Sequence, residues 1–195
     1  METRFHIFLL PLILLCFCFS SKSNESNIQN LEFTVVDSLL QKPIIDKNLN
    51  ISFRPPKHLN ILESDSLKKM LKGLIADKGK EKYRYIFCDS LFNVFFIFGS
   101  ASSFDFKNSD KALQSLKVKY HEIYPQSESK SGIFLKYPFR VHQIIVGMGK
   151  LTFLRMFFDS KKCVPFEVDF IIPTDSYSEQ MKIVESVIGS ISLTD

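Results

Sequence analysis

The 195-residue sequence has no tryptophan, only seven glycines and only four cysteines, and each shortage removes a class of function. With so few glycines there is no Gly-rich phosphate loop. Gly147-Met148-Gly149 lacks both the third glycine and a following helix, so it reads as a hairpin turn. Cys16 and Cys18 fall inside the N-terminal apolar run, which leaves Cys88 and Cys163 in the remainder. Two cysteines are no disulfide framework. No CxxC or HxxxH spacing joins them to His58, His121 or His142, so neither a preformed zinc site nor any other metal or cofactor site is expected. Cys88 lies in YRYIFCD as a small buried hydrophobe and Cys163 in the turn-like SKKCVP, and two readings stay open: separate thiols, or one disulfide between them. Against the missing tryptophan stand 20 phenylalanines, which bury large areas without a polar handle and imply a Phe-packed core.

No apolar run reaches the roughly 20 residues that a membrane-crossing helix needs. The longest, Phe5 to Phe19, is interrupted by His6 and Pro11, follows a weakly positive head with Arg4, and runs straight into polar SSKSNESN. That matches a secretory signal peptide over residues 1–20, whose apolar region is usually about 7–15 residues long. Cleavage after Ser20 places Cys18 and Ser20 at the two positions that want small side chains. The same stretch resembles a bacterial lipoprotein signal, with Leu15 three residues before Cys18. Bulky Phe17 before Cys18, and Leu15 before Cys16, depart from the small residue that acylation of either cysteine requires. A released protein, a lipid-tethered one and an uncleaved N-terminal anchor are the three outcomes. All three are exported: periplasmic, envelope-associated or secreted.

Removing residues 1–20 leaves the formal charge at +4, because Arg4 and Glu2 leave together. A 45% hydrophobic content excludes disorder, and the length suits one domain with a sizeable core. Residues 21–32 read as a polar tether and 33–195 as a single α/β domain without internal repeats. Lys68, Lys69, Lys72, Lys78, Lys80, Lys82 and Arg84 crowd one stretch against Asp77 and Glu81. They form either a solvated helix face or a contact for an anionic partner such as an envelope protein or surface component. Few aromatics interleave them, which argues against nucleic acid.

Periodicity supplies the elements. FTVV at 33–36 and Asn50–Arg54 are strand candidates, the latter stopped by Pro55-Pro56. Leu67, Met70, Leu71, Leu74 and Ile75 recur at helical spacing, capped by Ser64 or Asp65 and ended by Gly79. Strands follow at 83–89 and 91–98, and a helix at 109–124 with Leu113, Leu116, Tyr120 and Ile123 on one stripe. Strands between 133 and 172 are punctuated at Tyr137-Pro138, Gly147–Gly149 and Asp159–Cys163. A last helix, 176–189, shows Tyr177, Met181, Val184 and Ile188 on one face and capping-box spacing at Ser176 and Glu179. Residues 165–172 alternate, with Glu167 and Asp169 on the polar side, whereas 150–158 are apolar on both sides and need cover on both. Short turns imply antiparallel pairing. The expected class is α+β: an α/β/α sandwich whose central, largely antiparallel sheet is covered by helices on both faces.

The order ISFRPPKHL, apolar strand pairs, VHQIIVGMGKLTFLRMFF and FEVDFIIPTDSYSEQMKIVESVIGSI resembles the PsbP-like family, over roughly residues 50–191. That family is named after the extrinsic PsbP protein of photosystem II and includes many small exported bacterial proteins. The resemblance implies the same α/β/α sandwich and carries over no catalytic residue. The leading expectation is therefore a non-catalytic, exported module that binds or helps assemble another envelope component. Two alternatives remain. One is a serine hydrolase using Ser66 or Ser90 of the Asp-Ser-Leu triplets at Asp65 and Asp89 (a third starts at Asp37), with His142 or His58 as base. The other is a carrier holding an apolar ligand between the Phe-rich sheet and a helix.

Overall fold

Phenylalanine, isoleucine and valine dominate the strands because branched and aromatic side chains fit a pleated, buried surface. The computed structural model describes residues 28–62, 83–91 and 93–194. The strands are β1 (Ile44–Asp46), β2 (Ile51–Phe53), β3 (Asn60–Ile61), β4 (Tyr83–Cys88), β5 (Phe95–Ser100), β6 (Glu128–Lys136), β7 (Phe139–Met148), β8 (Leu151–Asp159), β9 (Phe166–Pro173) and β10 (Ser192–Leu193). The described helices are α1 (Ser109–Ile123) and α2 (Tyr177–Ser190). The helix expected at 65–79 lies outside the described residues.

Seven strands form one sheet in the order β3-β4-β5-β9-β8-β7-β6, and β1-β2-β10 form a second, with every pairing antiparallel. The chain is thus α+β with antiparallel sheets. Strand β8 shows why both of its sides are apolar. Leu154, Met156 and Phe158 join the cluster that contains Val184, Val187 and Ile188 of α2. Phe153 and Phe157 join the one that contains Leu113, Leu116 and Tyr120 of α1. The small sheet contributes Ile51 and Phe53 to the α2 cluster.

Several expectations need correction. Residues 33–36 form no strand: Val36 N–H donates to the Ser186 hydroxyl at 3.2 Å, so a helix side chain meets the backbone there. Gly189 permits this approach, since a Cβ on it would lie 2.9 Å from Val35 Cγ2. Ile123 stands 46% exposed in the last turn of α1, outside the buried stripe. The capping box is not formed either. A 3-10 turn, Thr174–Ser176, precedes α2 and directs the Ser176 hydroxyl back to the Pro173 carbonyl at 3.3 Å.

Candidate functional site

The largest departure from the expected pattern lies beneath α1. Glu167 and Asp169 alternate with apolar neighbours along β9, yet both are fully buried, as is Arg155 opposite Asp169 on β8. Arg155 Nε donates to Asp169 Oδ1 at 2.9 Å and Nη2 to Oδ2 at 2.8 Å. This two-pronged pairing is the strong geometry for a guanidinium and a carboxylate. The guanidinium carbon sits 5.0 Å from the Phe153 ring centroid and 5.8 Å from that of Phe157. Burial alone would favour the neutral guanidine, but the adjacent Asp169 carboxylate outweighs it and raises the Arg155 pKa. Tyr120 reaches this layer from α1, and burial pushes its phenol pKa up. Among the described residues, neither the Tyr120 hydroxyl nor Arg155 Nη1 has a hydrogen-bond partner.

His142 belongs to the same layer. It is 1% exposed and packs against the Phe104–Phe106 ring pair, with ring centroids 5.5 and 5.6 Å away. Burial, helped by the positive charge of Arg140 and opposed by Asp110, lowers its pKa from 6.5 to about 4. The fold therefore holds a neutral imidazole, while the unfolded chain takes up a proton near pH 6.5. Stability should fall as pH drops from 6.5 towards 4, by about 2–3 kcal/mol at the low end. Urea titrations at pH 7 and 4.5 on the wild type and His142→Phe check this. The variant should lose much less stability on acidification, and an equal loss in both would contradict the assignment.

At one end of the main sheet the β6–β7 and β8–β9 turns border an open groove of about 560 Å³, lined by Asn30, Tyr137, Phe139, Arg140, Asp159 and Lys161 among others. Residues 29–31 close one side by pairing with the end of β6: Leu31 N donates to Leu135 O at 2.8 Å, and Leu135 N to Gln29 O at 2.9 Å. Tyr137 stands 84% exposed at the tip of its turn. Nearby, Lys136 Nζ donates to the Ile191 carbonyl at 2.5 Å, just past the C-terminal end of α2. A cation is favoured at a helix C-terminus.

No protein-family model matches the sequence, and no curated protein does. Solved structures do match. The solution structure of cyanobacterial PsbP (CyanoP) from Synechocystis sp. PCC 6803 aligns with a TM-score of 0.54, covering 82% of this chain and 95% of that one at 10% identity. The fold is PsbP-like. Two further structures align with TM-scores of 0.42: a crystal structure from Bacteroides thetaiotaomicron VPI-5482 (12% identity, 79% of this chain, 48% of that one) and LpqN, involved in cell envelope biogenesis of Mycobacterium tuberculosis (13% identity, 84% and 99%).

Within this PsbP-like fold the expected site residues scatter. Lys68, Lys69, Lys72, Lys78, Lys80 and Lys82, like Cys16, Cys18 and Ser66, lie outside the described residues. Arg84 is taken up by the fold: its Nε donates to buried Asp46 Oδ2 at 2.6 Å and Nη2 to Oδ1 at 3.3 Å. The disulfide reading is corrected, because both cysteines are free thiols. Cys88 packs in the α1 cluster and Cys163 against the α2 cluster, on different sides of the strands. Burial raises both pKa values, that of Cys163 to about 11, which leaves poor nucleophiles.

Ser90 sits in the exposed β4–β5 turn. His142 is four strands away, roughly 19 Å at about 4.8 Å per strand, and in register with Tyr83 at the other end of β4. Among the described residues no histidine is hydrogen-bonded to Ser90, and no three His, Cys, Asp or Glu side chains are grouped to hold a metal. Nor is any described helix long and apolar enough to cross a membrane.

What residue reasoning missed was the buried ion pair. Its signal was a lone arginine and a lone aspartate of opposite sign inside consecutive apolar strands, LTFLRMFF and FEVDFII.

Proposed function

We propose that the chain is an exported, non-catalytic module of the cell envelope that binds, or helps assemble, another envelope component. The observation that carries this reading is where the chemistry-bearing side chains sit. Arg155, Asp169, His142 and Tyr120 are all enclosed in the fold, with Arg155 and Asp169 committed to each other, so the molecule presents surface rather than reactive groups. The PsbP-like fold and the targeting segment at 1–20 support the same reading. The α1 and α2 clusters are read as the two faces of one covered sheet, an α/β/α sandwich. Residues 33–195 are read as its single domain. An envelope protein or an anionic surface component is the proposed partner, with Lys68, Lys69, Lys72, Lys78, Lys80 and Lys82 as one contact face. Membrane attachment would come only through an acylated Cys18 or Cys16.

Cross-linking in the native envelope, followed by mass spectrometry, tests the reading. A defined partner should be recovered in stoichiometric amount, and the mature N-terminus should begin at Ser21 or carry an acylated Cys18. Recovery of no partner above background, or ester turnover abolished by Ser90→Ala, would overturn it.

A further inference from the structure

Tyr120 and Arg155 meet beneath α1 without bonding to each other. Both pack on one ring: the Phe153 centroid lies 5.4 Å from that of Tyr120 and 5.0 Å from the Arg155 guanidinium carbon. Each also feels the other. Among its neighbours Arg155 acts most strongly on the Tyr120 phenol, and only Asp169 acts more strongly than Tyr120 on the Arg155 guanidinium. Asp169 takes Nε and Nη2 of that guanidinium, which leaves Nη1. Nη1 and the Tyr120 hydroxyl are both buried with no hydrogen-bond partner among the described residues. A buried polar group left bare costs its full desolvation penalty, and native interiors rarely tolerate one. Two of them against the same ring call for a third group that both can bond.

We infer that this layer is a binding site for one internal water molecule, which accepts from Arg155 Nη1 and bonds the Tyr120 hydroxyl. The chemistry of the two atoms selects water. A guanidinium only donates, so the bridging group must accept, and an ammonium or any other pure donor fails. An anion would accept, but fully buried Glu167 and Asp169 already set two carboxyl groups around Arg155, and a further negative charge would be repelled. An apolar molecule satisfies neither atom. Water both accepts and donates, and it is what folds use to satisfy buried polar groups. Room comes from Gly99. It pairs with Tyr83 on one side and Glu167 on the other, on the α1 side of the sheet with Phe95 and Ile97, and it places no side chain between them. The surrounding Tyr120, Phe153, Arg155, Glu167 and Asp169 are all buried, so bulk solvent reaches the site only when α1 lifts from the sheet. The residence time of the water therefore reports how often that helix opens.

The test uses the full mature chain and water-oxygen magnetic relaxation dispersion, which counts internal waters that outlive molecular tumbling. The dispersion amplitude should fall by that of one water in Tyr120→Phe, which deletes one of the two bonding atoms and keeps the ring. It should be unchanged in Tyr177→Phe, which removes a phenol hydroxyl from the α2 side instead. Circular dichroism confirms that each variant folds. A crystal structure of the wild type supplies a second reading that needs no variant: one ordered water should stand within about 2.7–3.2 Å of both Arg155 Nη1 and the Tyr120 hydroxyl oxygen. Equal amplitudes in wild type and Tyr120→Phe would overturn the inference. So would density that shows a direct Arg155–Tyr120 hydrogen bond, a dry site or an ion in place of the water.

Discussion

Replacing Arg155 with methionine should lower stability by about 3–5 kcal/mol, because it strands the Asp169 carboxylate in a layer from which bulk water is excluded. Methionine matches the arginine stem in length and can pack between Phe153 and Phe157, so lost volume contributes little. The cost is electrostatic. It should appear as a melting temperature lower by about 10–15 °C, at roughly 2–4 °C per kcal/mol for a chain of this size. The double variant Arg155→Met/Asp169→Leu separates the charge from the space it fills. With both partners replaced by apolar groups no carboxylate of the pair is left unmatched, and more than half of the loss should return, as for other buried ion pairs exchanged for hydrophobes. Urea unfolding of the two variants checks this. A single-variant cost below about 1 kcal/mol, or a double variant worse than the single, would show that the pair is not what holds this layer.

The same pair marks the boundary of what the residues alone disclose. Period-2 alternation correctly put Phe166, Val168, Phe170 and Ile172 on one side of β9 and Glu167 and Asp169 on the other. Alternation says which residues share a side, not whether that side meets water. Here α1 covers it, and the register pairing of Asp169 with Arg155 makes the burial of the Asp169 carboxylate tolerable. The hairpins were legible because their turns carry local signals: Tyr137-Pro138 sits between β6 and β7, and the turn expected at Gly147–Gly149 is there but shorter, since Gly147 and Met148 still pair with β8 and only Gly149-Lys150 turn. The small sheet was not, since β10 reaches β2 across most of the chain to pair Ser192 with Ser52, and no local pattern encodes that contact. The groove was missed for the same reason. Asn30, Tyr137 and Lys161 are far apart in sequence and meet only once residues 29–31 pair with β6.

The abundance of phenylalanine was read as a packed core, and its geometry leads to a second large effect. Phe98 on β5 lies face to face with Phe53 of β2, centroids 4.4 Å apart and planes 7° from parallel. It also stacks on Phe166 of β9 at 5.1 Å, which in turn meets Phe158 at 4.8 Å and Phe139 at 5.6 Å. The row of rings crosses from the small sheet into four strands of the large one. Phe98→Ala should therefore cost about 3–5 kcal/mol, the usual range for truncating a fully buried phenylalanine. The loss should also be uneven. Phe53 keeps its contacts to Tyr85 at 5.5 Å and Phe96 at 6.0 Å but loses its stacked partner, so β2 loosens first. Native-state hydrogen exchange should show the amides of Ile51–Phe53 losing more protection than those of β8, whose apolar cover comes from both clusters. Equal loss across the two sheets would mean that they unfold as one unit and that this stack does not couple them. Unchanged protection at β2 would mean that its pairing with β1 and β10 suffices to hold it without the ring beneath.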